Sequence, residues 1–167
     1  MSTSLAMKSL NQEHIIAIKD FINQSPYFTL LSMEVCALRP GYCRVEVNLD
    51  TKHHNPFGGV HGGVYASVIE TAAYWAVYCN LEENVGLISI DLKVDFLAIA
   101  KEGKLIVEGK LIKAGRHICL SEATALDIHG KILAHGTSKQ MVTEGIPSII
   151  QSVSAMGYES LPPKFTA

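Results

Sequence analysis

Charged residues are scarce in this sequence and positive charge is not in excess. Asp, Glu, Lys and Arg make up 18% of the 167 residues, and the formal net charge is −2. A protein that binds nucleic acid through its phosphates needs a positive surplus, so we expect no nucleic-acid partner. Hydrophobic residues reach 48%, which excludes an intrinsically disordered chain, and the length is that of one domain.

Paired cysteines are also lacking. The four cysteines are scattered, at Cys36, Cys43, Cys79 and Cys119, and no two of them form a C-x-x-C pattern. This spacing argues against a zinc ribbon or a redox motif and favours reduced thiols.

No apolar run is long enough for a membrane-spanning helix. The longest run, residues 62–79, carries Glu70 near its middle, whereas a spanning helix needs about 20 predominantly apolar residues. We interpret this run as a buried core helix. The N-terminal segment contains no apolar core of a signal peptide. We therefore expect a soluble, cytoplasmic protein with no membrane partner.

The first half of the chain contains two helical segments and two strands. Apolar residues at helical spacing predict an amphipathic helix over 11–24, which ends before Pro26. Strands are predicted over 30–38 and 42–49, and a loop rich in Asn, Pro and Gly leads from there into an apolar helix over about 62–81.

After that helix the hydrophobic period changes to two. Alternation predicts a strand with Ile88, Ile90, Leu92, Val94 and Phe96 on one face. Three more strands are predicted at 104–114, 117–128 and 131–142, with tight turns that suit an antiparallel meander. The tail from Glu144 is expected to add only a brief helix.

These elements predict an α+β fold in which the sheet wraps around one helix. A single helix that is apolar on all sides must be covered by the sheet to be buried. The predicted organisation is an N-terminal helical extension over 1–27, the α+β domain over 28–143 and a C-terminal tail over 144–167.

One carboxylate stands alone in the apolar helix. Between His61 and Glu82 the only charged side chain is Glu70, and a buried carboxylate is costly unless it is paired or neutralised. Glu70 is either a reactive group or a structural one that lies on an exposed stripe or caps a neighbouring backbone. The glycines that precede it open the helix, where unpaired N–H groups can bind a phosphate or an oxyanion.

The motif around this helix resembles a known family. Asn55 is followed after five residues by His61-Gly62-Gly63, and an acid lies nine positions after His61; Ser89-Ile90-Asp91 follows on the next strand. This pattern resembles the hotdog-fold acyl-CoA thioesterases, in particular the phenylacetate-pathway type of the 4-hydroxybenzoyl-CoA thioesterase superfamily. That type more often has Asp at the position of Glu70.

The resemblance implies hydrolysis of an aryl- or short/medium-chain acyl-CoA to the free acid and CoA, without a cofactor. Glu70 would be the general base for water, or the nucleophile that forms a mixed anhydride. The N–H groups of Gly62 and Gly63 would form the oxyanion hole. Small residues beside Glu70 would leave room for the acyl group, and Tyr74 and Trp75 are candidate walls of its pocket.

Three polar residues complete the implied site. Asn55 would position the water or the carboxylate, His61 would orient the loop or bond near the thioester, and Ser89 would hold water in a substrate-binding role. A plain structural role for Ser89 is an equally good interpretation of the sequence.

Distance along the helix predicts a dimer. Nine residues at about 1.5 Å each place Glu70 about 13 Å from His61 on one helix, too far for both to contact one thioester. A twofold axis can bring Glu70 of one protomer beside Asn55 and His61 of the other. We expect a homodimer or a dimer of dimers with active sites at the interface.

Other functions are less well supported by the residues. A non-catalytic acyl-CoA-binding hotdog protein is the main alternative, although it leaves Glu70 unexplained. An acyl hydratase or dehydratase would resemble families with a His-Phe-Pro loop or an Asp/His pair, which this chain lacks. His53, His54 and His61 have no second acid or cysteine at ligand spacing, so we expect no metal.

Overall fold

A six-stranded antiparallel sheet wraps around one long helix in the computed structural model. The structure describes residues 9–158 and 160–166. Residues 1–8 of the predicted N-terminal extension, and residues 159 and 167 of the predicted tail, lie outside the described residues. The predicted α+β architecture is confirmed.

The elements follow the predicted order with three additions. In chain order they are β1 (Ser9–Leu10), α1 (Gln12–Asn23), α2 (Pro26–Leu31), β2 (Met33–Arg39), β3 (Tyr42–Asn48), a 3-10 turn (Thr51–His53), α3 (Gly62–Tyr78), β4 (Gly86–Phe96), β5 (Lys104–Lys113), β6 (Ile118–Leu126), β7 (Ile132–Thr143), α4 (Ile149–Ala155) and β8 (Phe165–Thr166). The pairing of β1 with β8, the 3-10 turn and α2 were not predicted. The brief helix expected in the tail is confirmed as α4.

The prediction of a strand from residue 30 is wrong at its start. Residues 26–31 form α2 instead, because Pro26 at the first helical position is already in the helical φ range. Ser32 ends the helix in the left-handed conformation, with φ 52°, and β2 begins only at Met33.

The helix α3 lies close against the inner face of the sheet. Val68, Ile69, Ala72 and Ala76 are fully buried. At Gly109 on β5, an added Cβ would lie 2.1 Å from the backbone oxygen of Ala72, so only glycine allows the helix to approach the sheet this closely. The helix ends at Tyr78, three residues before the predicted end.

Strand order confirms the predicted meander of the last three long strands and shows where β4 lies. The sheet runs β2-β3-β5-β6-β7-β4, so β5, β6 and β7 form a meander but β4 pairs with β7 at the far edge. An alternating hydrophobic pattern determines which face of a strand is buried, but it carries no information about which strand lies beside it.

A bulge in β4 interrupts the predicted alternation of its side chains. Ser89 pairs with Gln140 and Asp91 with Lys139, so Ile90 is the extra residue. Beyond the bulge the faces are exchanged. Ser89 and Leu92 therefore both lie on the side of the sheet that α3 covers.

Lys164, near the end of the described residues, is attached to the C-terminal end of α3. The Lys164 side chain is buried, and its Nζ donates hydrogen bonds of 2.7 Å to the backbone oxygens of Tyr78 and Leu81. Burial lowers the pKa of Lys164 to about 8. These bonds place a cation against the carbonyl groups at the C-terminus of α3 and just beyond it, where the helix dipole favours positive charge. No helix in the described part of the chain has the length and apolar character needed to cross a membrane.

Candidate active site

Glu70 lies in the third turn of α3 and is half-buried. Its Oε1 accepts a hydrogen bond of 2.5 Å from the hydroxyl group of Ser89 on β4. The structure thus brings together two residues that the sequence selected independently, and Ser89 faces the helix instead of solvent. Asp91 lies on the opposite face of β4, where it pairs with Lys139.

A cleft of about 500 Å³ opens beside Glu70. One stripe of α3 forms its floor, α2 forms one wall and β4 forms another. Its lining residues are Tyr27, Phe28, Ala66, Ser67, Glu70, Thr71, Tyr74, Trp75 and Leu92. We call this the Glu70 cleft. Its lining is mainly apolar and aromatic, and Glu70 is the only carboxylate in that set.

Tyr74 and Trp75 wall the cleft, as expected from the sequence. The Tyr74 hydroxyl donates to the backbone oxygen of Leu87 at 3.0 Å, and the Tyr74 and Trp75 rings meet edge to face at 5.3 Å. Burial, and after it the negative charge of Glu70, raises the pKa of the Tyr74 phenol above its ordinary value. The phenol therefore stays neutral at physiological pH and holds the wall in place.

Asn55 organises the loop before the helix. Its Oδ1 accepts hydrogen bonds from the N–H groups of Phe57 at 2.8 Å and Gly59 at 3.3 Å. Among the described residues, its Nδ2 group has no acceptor, so this donor is available to a ligand.

His61 caps the N-terminus of α3. Its Nδ1 accepts from the N–H of Gly63 at 2.8 Å, which places the ring proton of neutral His61 on Nε2. In the described chain the N–H of Gly62 has no acceptor. The two expected oxyanion donors therefore differ: the Gly63 N–H is occupied by His61, and the Gly62 N–H is open.

Gly62 has a close neighbour in Phe96. An added Cβ would lie 3.2 Å from Cζ of Phe96 and 3.3 Å from Cε1. The Phe96 ring therefore lies over the first turn of α3, next to the open N–H group.

Within one protomer the expected site is divided. Gly62 and Glu70 are eight residues apart on α3, a rise of about 12 Å. Asn55, His61 and Gly62 are not among the residues that line the Glu70 cleft. The structure brings Glu70 together with Ser89 near the middle of α3 and leaves the loop donors at the N-terminus of the helix.

Two of the histidines near the motif have structural roles. Nδ1 of His53 accepts from the N–H of Asp50 at 2.9 Å, so its Nε2–H donates to the backbone oxygen of Leu31 at 2.8 Å. His54 contacts the backbone oxygen of Lys101 at 2.6 Å. Within residues 9–158 and 160–166, no three His, Cys, Asp or Glu residues are grouped to hold a metal ion.

Sequence reasoning missed the wall that α2 contributes. Tyr27 and Phe28 line the Glu70 cleft from this helix. The one local signal was Pro26, whose preference for the first turn of a helix indicates that a helix begins there.

Comparison with known proteins finds similarity to thioesterases. The family model of the thioesterase superfamily matches residues 57–134. Human acyl-coenzyme A thioesterase 13 is 26% identical over 102 residues, which cover 58% of this chain and 70% of the human protein. A solved thioesterase from Haemophilus influenzae has a TM-score of 0.70 at 21% identity, covering 75% of this chain and 87% of that one.

A thioesterase family protein from Silicibacter pomeroyi is similar at a TM-score of 0.71 and 24% identity, over 79% of this chain and 99% of that one. The fold is therefore the hotdog fold, and the chain is similar to the thioesterase superfamily over residues 57–134, just under half of its length. The class of activity that these similarities support is a hydrolase acting on thioesters.

Proposed function

We propose that this chain hydrolyses acyl-CoA thioesters, with an aryl or short- to medium-chain acyl group, at a site that two protomers of a homodimer share. The observation that carries this proposal is the hydrogen bond from Ser89 to the Glu70 carboxylate at the side of an apolar cleft. Acyl-CoA is the substrate in the name of the human relative, and the apolar lining suits the acyl part of such a molecule.

Glu70 has one of two roles in this proposal, general base or nucleophile. As general base, it takes a proton from water while the water oxygen attacks the thioester carbonyl. As nucleophile, its carboxylate oxygen attacks the carbonyl and forms a mixed anhydride, which water then hydrolyses. The Ser89 hydroxyl occupies Oε1 in either case, so Oε2 is left for the water or the carbonyl carbon.

The open N–H of Gly62 stabilises the negative oxygen of the tetrahedral intermediate. It lies at the N-terminus of α3, where the helix dipole adds to the attraction. Collapse of the intermediate breaks the carbon–sulfur bond and releases the CoA thiolate. On the general-base route the thiolate takes the proton that Glu70 holds, and on the anhydride route it takes a proton from the water that hydrolyses the anhydride. Asn55 contributes its free Nδ2 donor to hold the water or the carboxylate.

A second protomer supplies the donors to each Glu70. β4 is an edge strand of eleven residues, and such an edge presents backbone groups that can pair with another strand. Large apolar side chains along it and just beyond it are exposed, among them Ile90 at 50%, Phe96 at 58% and Leu97 at 60%. Twofold pairing of these edges would cover them and bring Asn55 of the partner subunit toward Glu70.

The direct test is release of free CoA. Purified protein treated with EDTA is incubated with a panel of aryl- and alkyl-CoA thioesters, and the thiol is measured with a thiol reagent. We expect release from at least one aryl- or medium-chain substrate, and release that is slower by about 10²- to 10⁴-fold from the Glu70→Gln variant. Binding without release across the whole panel would identify an acyl-CoA-binding protein instead. The cytoplasmic location stays a prediction.

A further inference from the structure

The helix α2 contributes one whole wall of the Glu70 cleft. Tyr27 and Phe28 line the cleft opposite β4. The stripe of α3 between them runs from Ser67 to Trp75, a length of about 12 Å, with Glu70 between its ends. An acyl group beside Glu70 must therefore lie against α2.

This wall is held by polar contacts at both of its ends. The hydroxyl of Tyr27 is 2.7 Å from Oγ of Ser67, whose hydroxyl lies on the cleft floor. At the other end, His53 donates to the backbone oxygen of Leu31. No residue of α2 is fully buried, but Phe28 and Leu31 pack against the core, so apolar packing together with these two contacts holds α2 beside α3.

The elements that anchor α2 are the elements of the site. Ser67 belongs to the helix that carries Glu70, and His53 is two residues before Asn55. α2 lies outside residues 57–134, the part that the superfamily model matches. The size of the cleft can thus differ in this chain while the shared chemistry stays the same.

We propose that Tyr27 is a specificity-determining residue that limits the size of the acyl group beside Glu70. This inference rests on the proposed acyl-CoA hydrolysis and adds to it the residue that sets the acyl range. The ring of Tyr27 fills the space that additional methylene groups would occupy. Shortening this side chain therefore extends the range of acyl groups that the cleft accepts.

The range of chain lengths that the cleft accepts can be measured without catalysis. The test series is a set of non-hydrolysable S-alkyl-CoA thioethers with six to twelve carbons. The chain has one tryptophan, Trp75, and it lines the cleft, so its fluorescence reports occupancy. For Tyr27→Ala we expect the ratio of dodecyl to hexyl affinity to rise on the order of 10-fold, because each buried methylene group contributes several-fold to affinity.

Three variants separate ring size from other effects. Tyr27→Phe keeps the ring and removes the hydroxyl contact, so we expect the wild-type length profile. Leu30→Ala shortens an exposed residue of the same helix that is not in the cleft lining, so it too should keep that profile. Tyr27→Leu provides an intermediate shift if the alanine variant melts too low for titration.

The outcomes distinguish this inference from the proposed function. An unchanged profile in Tyr27→Ala and Tyr27→Leu, an equal shift in Leu30→Ala, or no thioether binding by the wild type would overturn the inference. A shifted profile in a protein that releases no CoA would overturn the proposed hydrolysis and leave the role of Tyr27 intact. CoA release together with an unchanged length profile in the Tyr27 variants would support the proposed hydrolysis and overturn the role of Tyr27.

Discussion

Ser89 donates its hydroxyl hydrogen to Oε1 of Glu70 at 2.5 Å, and this bond joins the edge strand β4 to the central helix α3. The bond depends on the bulge at Ile90, which allows Ser89 and Leu92 to face the helix together. The carboxylate thereby obtains a fixed orientation beside an apolar cleft. The predictions below test this arrangement and the fold that supports it.

Replacement of Glu70 by Gln should strongly reduce turnover while the fold survives. Glutamine keeps the size of the side chain and can still accept from Ser89, but it can neither take a proton nor attack a carbonyl. We expect kcat to fall by about 10²- to 10⁴-fold. The melting temperature should stay near that of the wild type, because the change removes a charge and not a contact.

Glu70→Asp is the matched variant for this test, since it keeps the acid and withdraws it by one methylene group. It should retain partial activity. Near-normal turnover in the glutamine variant would show that Glu70 is not the catalyst, and an unfolded glutamine variant would assign it a structural role.

Removal of the Ser89 hydroxyl should lower kcat more than it raises KM. A hydrogen bond to a charged group is worth about 1.5–3 kcal/mol, and its loss leaves the Glu70 carboxylate free to adopt other rotamers. We expect Ser89→Ala to lose about 10- to 100-fold in kcat. Steady-state kinetics measure both constants. The exposed Ser154 on α4 is the matched control, and Ser154→Ala should be unaffected.

A charge placed at the end of the β4 edge should separate the protomers. Leu97 is 60% exposed and follows β4 directly, so glutamate there would place a charge within the apolar contact. We expect Leu97→Glu to sediment as a monomer and to lose activity, because Glu70 then lacks the partner's donors. Ile16→Glu changes a residue on α1 that is equally exposed, at 62%, and should stay dimeric. A wild-type protein that is a stable, active monomer would contradict the dimer.

Protonation of buried His14 should destabilise the fold in mild acid. Its Nδ1–H donates to the backbone oxygen of Pro162 at 2.6 Å, and its Nε2 accepts from the Tyr78 hydroxyl at 2.5 Å, which is the bonding of a neutral ring. Burial is the main cause that lowers the pKa of His14; Lys164 lowers it further, while the Pro162 bond and Glu83 oppose the shift.

The sign of the pH effect follows from that direction. Below the ordinary value of about 6.5 the unfolded chain binds a proton that the folded chain resists, so stability falls as the pH drops through this range. His14→Gln does not titrate, and its deficit in stability relative to the wild type should therefore shrink from pH 7.5 to pH 5. Urea unfolding at both pH values measures this. A deficit for His14→Gln that is the same at both pH values would refute the prediction.

The order of the main elements and the identity of the central carboxylate follow from the pattern of residues along the chain. Hydrophobic period reports how each segment is buried, and it distinguished the all-round apolar α3 from the alternating strands. A single charge within an apolar helix can be recognised without coordinates, so Glu70 could be selected from its position in the sequence. The spacing of Asn55 and His61-Gly62-Gly63 before it carried the family resemblance.

The neighbours of each strand and the residues that form the cleft depend on the three-dimensional packing and are known only from the structure. β4 pairs with β7, and the bulge at Ile90 turns Ser89 toward Glu70; neither follows from alternation, because the pattern specifies faces and not partners or inserted residues. Tyr27 meets Ser67 across 40 positions of sequence. A contact between residues so far apart arises when α2 packs beside α3, and no local pattern encodes it.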